Sequence, residues 1–178
     1  MRPAIALAAL ALAALPGAFA AERGVARLEV AFTPEDDVEG LIARRIAAAR
    51  ESVRMQAYLF TDPRIARSLL AALRRGVSVE VIGDAGREAD GGLPWLSSLA
   101  RAGARVYLDG SSAASHSKIL ILDGDGPRAS VVTGSYNFTR SAQSRNAENI
   151  VVISGNRAIT DRYVANFRSH RARSLPWH

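Results

Sequence analysis

His116 and Lys118 stand two positions apart at the head of an apolar run, in the stretch Ser115-His116-Ser117-Lys118-Ile119-Leu120-Ile121-Leu122-Asp123. Lys118 is the only lysine among the 23 basic residues of the chain; every other one is arginine. In a composition so biased, a generic surface cation would be arginine, so the lone lysine marks a place that wants a compact ammonium. On an extended strand residues i and i+2 share a side, which puts the imidazole and the ammonium together. Leu120 and Leu122 continue that side, and Ile119 and Ile121 occupy the other. A strand apolar on both sides is one covered on both sides. An ammonium at its mouth loses hydration that only a partner can replace, so a site explains it better than stability does.

Three further polar features accompany the pair. Gly134-Ser135-Tyr136-Asn137 ends the next apolar run, with Ser135 and Asn137 again at i and i+2. Gly134 lets backbone approach closely. Glu148 precedes the run Asn149–Ile153, and Asp123 closes the histidine strand. An imidazole can attack phosphorus or donate a proton. An ammonium matches a phosphoryl oxygen, and a carboxamide and a hydroxyl add hydrogen bonds to it. A carboxylate can orient the imidazole and stabilise its charged form. Together these are the parts of a metal-free phosphoryl transfer through a phosphohistidine, with Lys118, Ser135 and Asn137 on the phosphate.

Each residue also has a plainer reading. His116 can be a capped loop histidine and Lys118 an edge-strand charge. Ser135 and Asn137 are common turn residues, and Glu148 can be a surface carboxylate. For Asp123 a structural role in the turn is the favoured reading. Asp123-Gly124-Asp125-Gly126 is not a calcium loop, because Pro127 follows and Gly134 occupies the twelfth position where a glutamate is needed. Arg140 and Arg145 flank the site and are candidates to hold a nucleic-acid backbone, or are simply a solvated face. No residue set points to a metal or an organic cofactor.

The elements that position these residues alternate. Arg27–Phe32 reads as a strand. Thr33 looks like an N-cap with Pro34 in the first turn, and Val38, Leu41, Ile42, Ile46 and Ala49 fall on one helical face. Val53–Leu59 is a strand. Asp62-Pro63 opens a second helix, with Ile65, Leu69 and Leu73 inward, that Gly76 stops. Val77–Ile82 is a strand, Ala85–Gly92 a loop and Leu93–Ala102 a helix. Arg105–Leu108, Ser117–Leu122, Ala129–Thr133 and Asn149–Ile153 are strands. Arg157–Arg171 is a last helix facing inward through Ile159, Tyr163 and Phe167. This order predicts a single α/β domain, a central mixed sheet with helices on both faces.

At 178 residues the chain can bury one proper core. Residues 1–20, MRPAIALAALALAALPGAFA, read as a signal peptide: Arg2, an apolar run from Ile5 to Leu15, then Ala18-Phe19-Ala20 as the cleavage pattern. The expected mature domain is 21–178, exported to the periplasm or beyond, with no stable membrane insertion after cleavage. The chain has no cysteine, which removes thiolate chemistry and disulfides. Its formal charge of +6 favours anionic partners such as nucleic acid. Aromatic residues make up only 6%, so base stacking is a minor theme and backbone recognition the larger one.

The text H-S-K-I-L-I-L-D followed by G-S-Y-N resembles the phospholipase D superfamily, and the flanking SVRMQAYLFTDP and GSYNFTRSAQSRNAEN are similar to its small bacterial exported endonucleases. The resemblance implies that His116 is the motif histidine, Lys118 the phosphate-binding lysine, Ser135 and Asn137 the downstream polar pair, and Glu148 the acid that supports a histidine. It implies a structural role for Asp123. One departure is a longer spacing between Asp123 and Gly134, which predicts a hairpin at Gly124–Pro127 projecting into solvent. Only one His-Lys pair is present, and His170 and His178 are expected to have no partner set. In-line cleavage needs a nucleophile on one side of phosphorus and an acid on the other, and a second copy can supply the other half. The resemblance implies the same homodimer. The leading function is thus a metal-independent, non-specific endonuclease acting on DNA, with RNA a further candidate substrate. The alternatives are a phospholipase-type lipid phosphodiesterase and a non-catalytic nucleic-acid-binding module.

Overall fold

The structure is a computed structural model and describes residues 25–177. The signal peptide expected at residues 1–20 lies outside the described residues. Eight strands form one mixed sheet: β1 (Arg27–Thr33), β2 (Ser52–Ala57), β3 (Ser78–Asp84), β4 (Arg105–Asp109), β5 (Lys118–Leu122), β6 (Ser130–Gly134), β7 (Glu148–Ser154) and β8 (Leu175–Pro176). Their order across the sheet is β1-β7-β6-β5-β2-β3-β4-β8. Strands β2, β3 and β4 run parallel, while β5 is antiparallel to both β2 and β6. The start of β5 therefore lies on the same sheet edge as the ends of β2, β3, β4 and β6.

Helices cover both faces. On one side lie α1 (Val38–Ala48), α2 (Pro63–Arg74) and α4 (Leu96–Arg101), whose Ile42, Ile46, Ile65, Leu69 and Leu99 pack with Val53, Met55, Leu120 and Leu122. Burying each such side chain contributes about 1.5–3 kcal/mol. On the other side α6 (Arg157–Arg173) packs Val164 and Phe167 on Ile82, Ile119, Ile121 and Val131. The two-sided alternation expected for the histidine strand is thus what divides the cores, and all five residues of β5 are buried. Among the described residues the second face has a single long helix. It leaves Leu28, Val30 and Phe32 of the edge strand β1 exposed.

Several local expectations are corrected. Thr33 does not cap α1. Its hydroxyl donates to the Asn146 carbonyl (3.0 Å) and accepts from the Glu148 N–H (3.1 Å), closing β1 onto β7. Asp37 is the cap instead, accepting from the Gly40 N–H at 2.8 Å. Asp62 caps α2 and Gly76, at φ +84°, follows its end. The segment read as a loop after β3 holds a short helix α3 (Ala85–Ala89), because Asp84 accepts from the Arg87 N–H at 2.8 Å. A second short helix, α5 (Arg140–Ser144), is capped by Thr139. The inward face of α6 is Thr160, Val164 and Phe167, with Ile159 and Tyr163 only half-buried. The hairpin after Asp123 does not project. Gly124 and Gly126 are buried, and Asp125 is held by Arg54 (2.5 Å) and Arg168 (2.9 Å). An aspartate offered to two arginines folds the turn back against α6.

Candidate active site

The register of the sheet assembles the site. Lys118 opens β5 opposite Ala57, the last residue of β2, and Gly134 ends β6 opposite Ile150 of β7. A Cβ at Gly134 would lie 2.1 Å from the Asn149 carbonyl oxygen, so this glycine is what lets β6 and β7 approach at the edge. His116, exposed, precedes the strand on a loop whose backbone is tied down at Ser115: its N–H donates to the buried carboxylate of Asp84 at 2.6 Å. A cleft of about 370 Å³ opens there, lined in part by His116, Lys118, Thr133, Gly134 and Ser135.

Lys118 is only 7% exposed. Its Nζ donates to the His116 carbonyl (2.7 Å) and sits 3.0 Å from Nδ1 and 3.1 Å from Nε2 of the same imidazole. Among the described residues it forms no ion pair. Burial holds its pKa below the ordinary lysine value, and the more distant Glu148 carboxylate pulls it only partly back. A buried ammonium whose neighbours are an imidazole and a carbonyl is an anion site waiting for its anion.

Ser135 is exposed at the cleft. Its Oγ accepts from the Asn149 N–H (3.1 Å) and from Asn149 Nδ2 (3.4 Å), which leaves its own O–H to donate. Asn137 is not among the residues lining the cleft; it is half-buried, with an Oδ1 that has no hydrogen-bond partner among the described residues. Glu148 accepts from Asn146 Nδ2 at 2.9 Å, and no hydrogen bond joins it to the His116 of its own chain. Arg140 and Arg145 lie exposed at the two ends of α5 and form no ion pair among the described residues. Asp123 is remote from the cleft, at the opposite end of β5, where its buried carboxylate accepts backbone N–H bonds from Arg50, Glu51 and Ser52. No cluster of three His, Asp, Glu or Cys side chains among the described residues could hold a metal ion.

Some neighbours escaped the sequence reading. Tyr58, just after β2, lays its ring 4.2 Å from the His116 imidazole. Asp84 and Asp109 end neighbouring parallel strands at matched register, a repeat visible as VSVEVIGD and RVYLD. His170 does have a partner set, contrary to expectation: its Nδ1 lies 2.6 Å from the Asp109 carboxylate, which also accepts the Ser111 hydroxyl at 2.6 Å. Burial alone would raise the Asp109 pKa, but the bonds from Ser111 and His170 outweigh it and hold it at about 2. The carboxylate ties α6 to the loop that leads to His116.

Lys118→Met is expected to remove activity and yet raise the unfolding free energy, by on the order of 1 kcal/mol, because it deletes an unpaired buried ammonium. A lysine whose folded pKa lies below its unfolded value weakens the fold at lower pH. As pH rises through the folded pKa towards the unfolded value near 10.4, that penalty fades. The gap between Lys118→Met and the unaltered protein should therefore narrow over that range, which equilibrium unfolding at several pH values measures.

Comparison with known proteins places this geometry. A family model described as "Cardiolipin synthase, PLD-like domain" matches residues 42–171. A phospholipase D of Rickettsia bellii is 36% identical over 148 residues, which is 83% of this chain and 71% of that protein. A mitochondrial cardiolipin hydrolase of Xenopus laevis is 36% identical over 108 residues, 61% of this chain and 49% of its own. The crystal structure of Nuc, a phospholipase D family member from Salmonella typhimurium, superposes with a TM-score of 0.77 at 29% identity, covering 86% of this chain and 99% of that one.

Proposed function

The chain belongs to the phospholipase D superfamily and is a phosphodiesterase of that family; we propose that it is a metal-independent endonuclease, exported, that cleaves DNA and RNA backbones through a phosphohistidine in a homodimer. The observation that carries this reading is the buried ammonium of Lys118, with no ion pair among the described residues, against the exposed imidazole of His116, once per chain, at an open cleft.

In this mechanism the His116 of one copy attacks phosphorus, forming the P–N bond as the P–O bond to the leaving oxygen breaks. The His116 of the second copy gives that oxygen its proton. The same imidazole, now neutral, takes a proton from water, whose oxygen displaces the first histidine. The two copies of Lys118, with Ser135, hold the non-bridging oxygens; Asn137, which does not line the cleft within one chain, would have to turn toward the phosphate to join them. Glu148, which leaves its own His116 alone, is free to support the histidine across the dimer. The exposed stripe Leu28, Val30 and Phe32 runs along a strand whose last residue pairs with Glu148, so apolar surface for a second copy adjoins the catalytic edge. The formal charge of +6 and the exposed Arg140 and Arg145 suit a polyanionic backbone.

Hydrolysis of phospholipid head groups is the second reading, favoured by the lipid-directed names of relatives such as the cardiolipin hydrolase. Incubation in EDTA with plasmid and, separately, with phosphatidylcholine vesicles decides between them. We expect nicked and linear plasmid and intact lipid. Lipid turnover with intact plasmid reverses the ranking. Plasmid binding without cleavage, unchanged by His116→Ala, leaves only a binding module.

A further inference from the structure

We infer that Tyr58 is the positioning residue of the site: its ring, and not its hydroxyl, sets the direction in which the His116 imidazole points and holds Lys118 beside it. This rests on the reading of His116 as nucleophile and adds the element that aims it.

Little else among the described residues orients that imidazole. Among the described residues neither ring nitrogen of His116 is hydrogen-bonded to a carboxylate, and Lys118 Nζ is nearly equidistant from both, 3.0 and 3.1 Å, so it selects neither. The side chain is exposed, and terminal sp³–sp² torsions of this kind have broad wells. What bears on the ring is Tyr58, at 4.2 Å between centroids and tilted by 56°. Tyr58 follows Ala57, whose partner across β2 and β5 is Lys118, so the sheet register itself brings the aromatic alongside. The same ring carries Lys118 Nζ 4.8 Å and Arg87 Cζ 5.3 Å from its centroid. An aromatic face attracts cations without neutralising them, which keeps the ammonium in place and still short of an anion. Arg87 belongs to α3, whose cap Asp84 also fixes Ser115, so ring and histidine backbone are anchored by one unit. The Tyr58 hydroxyl makes no hydrogen bond among the described residues, so the contacts are those of the ring alone.

The experiment compares Tyr58→Phe and Tyr58→Leu in the full chain. Cleavage of a small phosphodiester ester is followed together with the NMR shifts of the His116 ring protons. Tyr58→Phe should keep kcat within about threefold, and Tyr58→Leu should lower kcat about 100-fold with KM within about threefold, the signature of a misaimed nucleophile. The His116 ring protons should lose their aromatic ring-current shift in the Leu variant and keep it in the Phe variant. A Leu variant with unchanged kcat, or a Phe variant as impaired as the Leu variant, overturns the inference. If the unaltered protein cleaves no phosphodiester, the nucleophile reading fails by itself, and the ring-proton shifts still decide whether Tyr58 orients the imidazole.

Discussion

His116→Asn abolishes phosphodiester cleavage, with kcat lowered by about 10⁴-fold or more, while the fold is retained. Asparagine is close in size and polar, so the exposed position tolerates it, and stability should change by less than about 0.5 kcal/mol. It cannot form a P–N bond, and it cannot pass a proton at neutral pH. The stronger test uses mixtures. If both histidines of a pair act on one phosphorus, a mixed dimer has either a nucleophile or an acid, never both. Activity at fixed total protein should then fall as the square of the unaltered fraction after subunits are exchanged. A linear fall means that each chain works alone and removes the composite site. A denaturing quench held at alkaline pH, where a P–N bond to imidazole survives, of the unaltered protein with labelled DNA in EDTA should trap a phosphorylated imidazole, absent in the variant.

Asp123→Ala has the largest expected effect on stability, a loss of about 3–5 kcal/mol. Asp123 is 3% exposed. Its Oδ1 accepts from the N–H groups of Glu51 at 2.7 Å and of Arg50 and Ser52 at 3.1 Å. These donors belong to the turn from α1 into β2, and Asp123 N–H donates back to the Ser52 carbonyl at 2.8 Å. Alanine takes away the acceptor that these three backbone donors share. The residue adopts φ +49°, where alanine is also less at ease. The seven steps of chain from His116 to Asp123 span roughly 20 Å when extended. Below its lowered melting temperature the variant should therefore cleave at close to the normal rate. Calorimetry together with an assay at low temperature separates the two effects, and a folded but inactive Asp123→Ala protein contradicts a structural role.

The α/β class was legible because periods of two and of 3.6 residues recur over long segments, as in Val53–Ala57 and along the apolar face of α1. Short elements were not: α3, α5 and β8 are too brief to show a period, and α3 depends on the cap bond of Asp84. The first helix was mis-started because Thr33 and Asp37 are both good caps, and only the pairing of β1 with β7 diverts the Thr33 hydroxyl. The folded-back hairpin needed Arg54 and Arg168, distant in sequence, to meet Asp125.

By itself the sequence determined the chemical inventory: one imidazole two residues from one lysine at the mouth of a doubly apolar strand, with Ser135, Asn137 and Glu148 following in order. Side-chain alternation along a single strand is a local property, so it survives translation into three dimensions. The tertiary structure alone decided what surrounds that pair. Tyr58, Asp84 and Arg87 reach His116 only because β5 inserts antiparallel between β2 and β6 and the β2–β3–β4 ends share its edge. Register between strands far apart in the chain is set by the packing of two cores, and no short window of residues contains it.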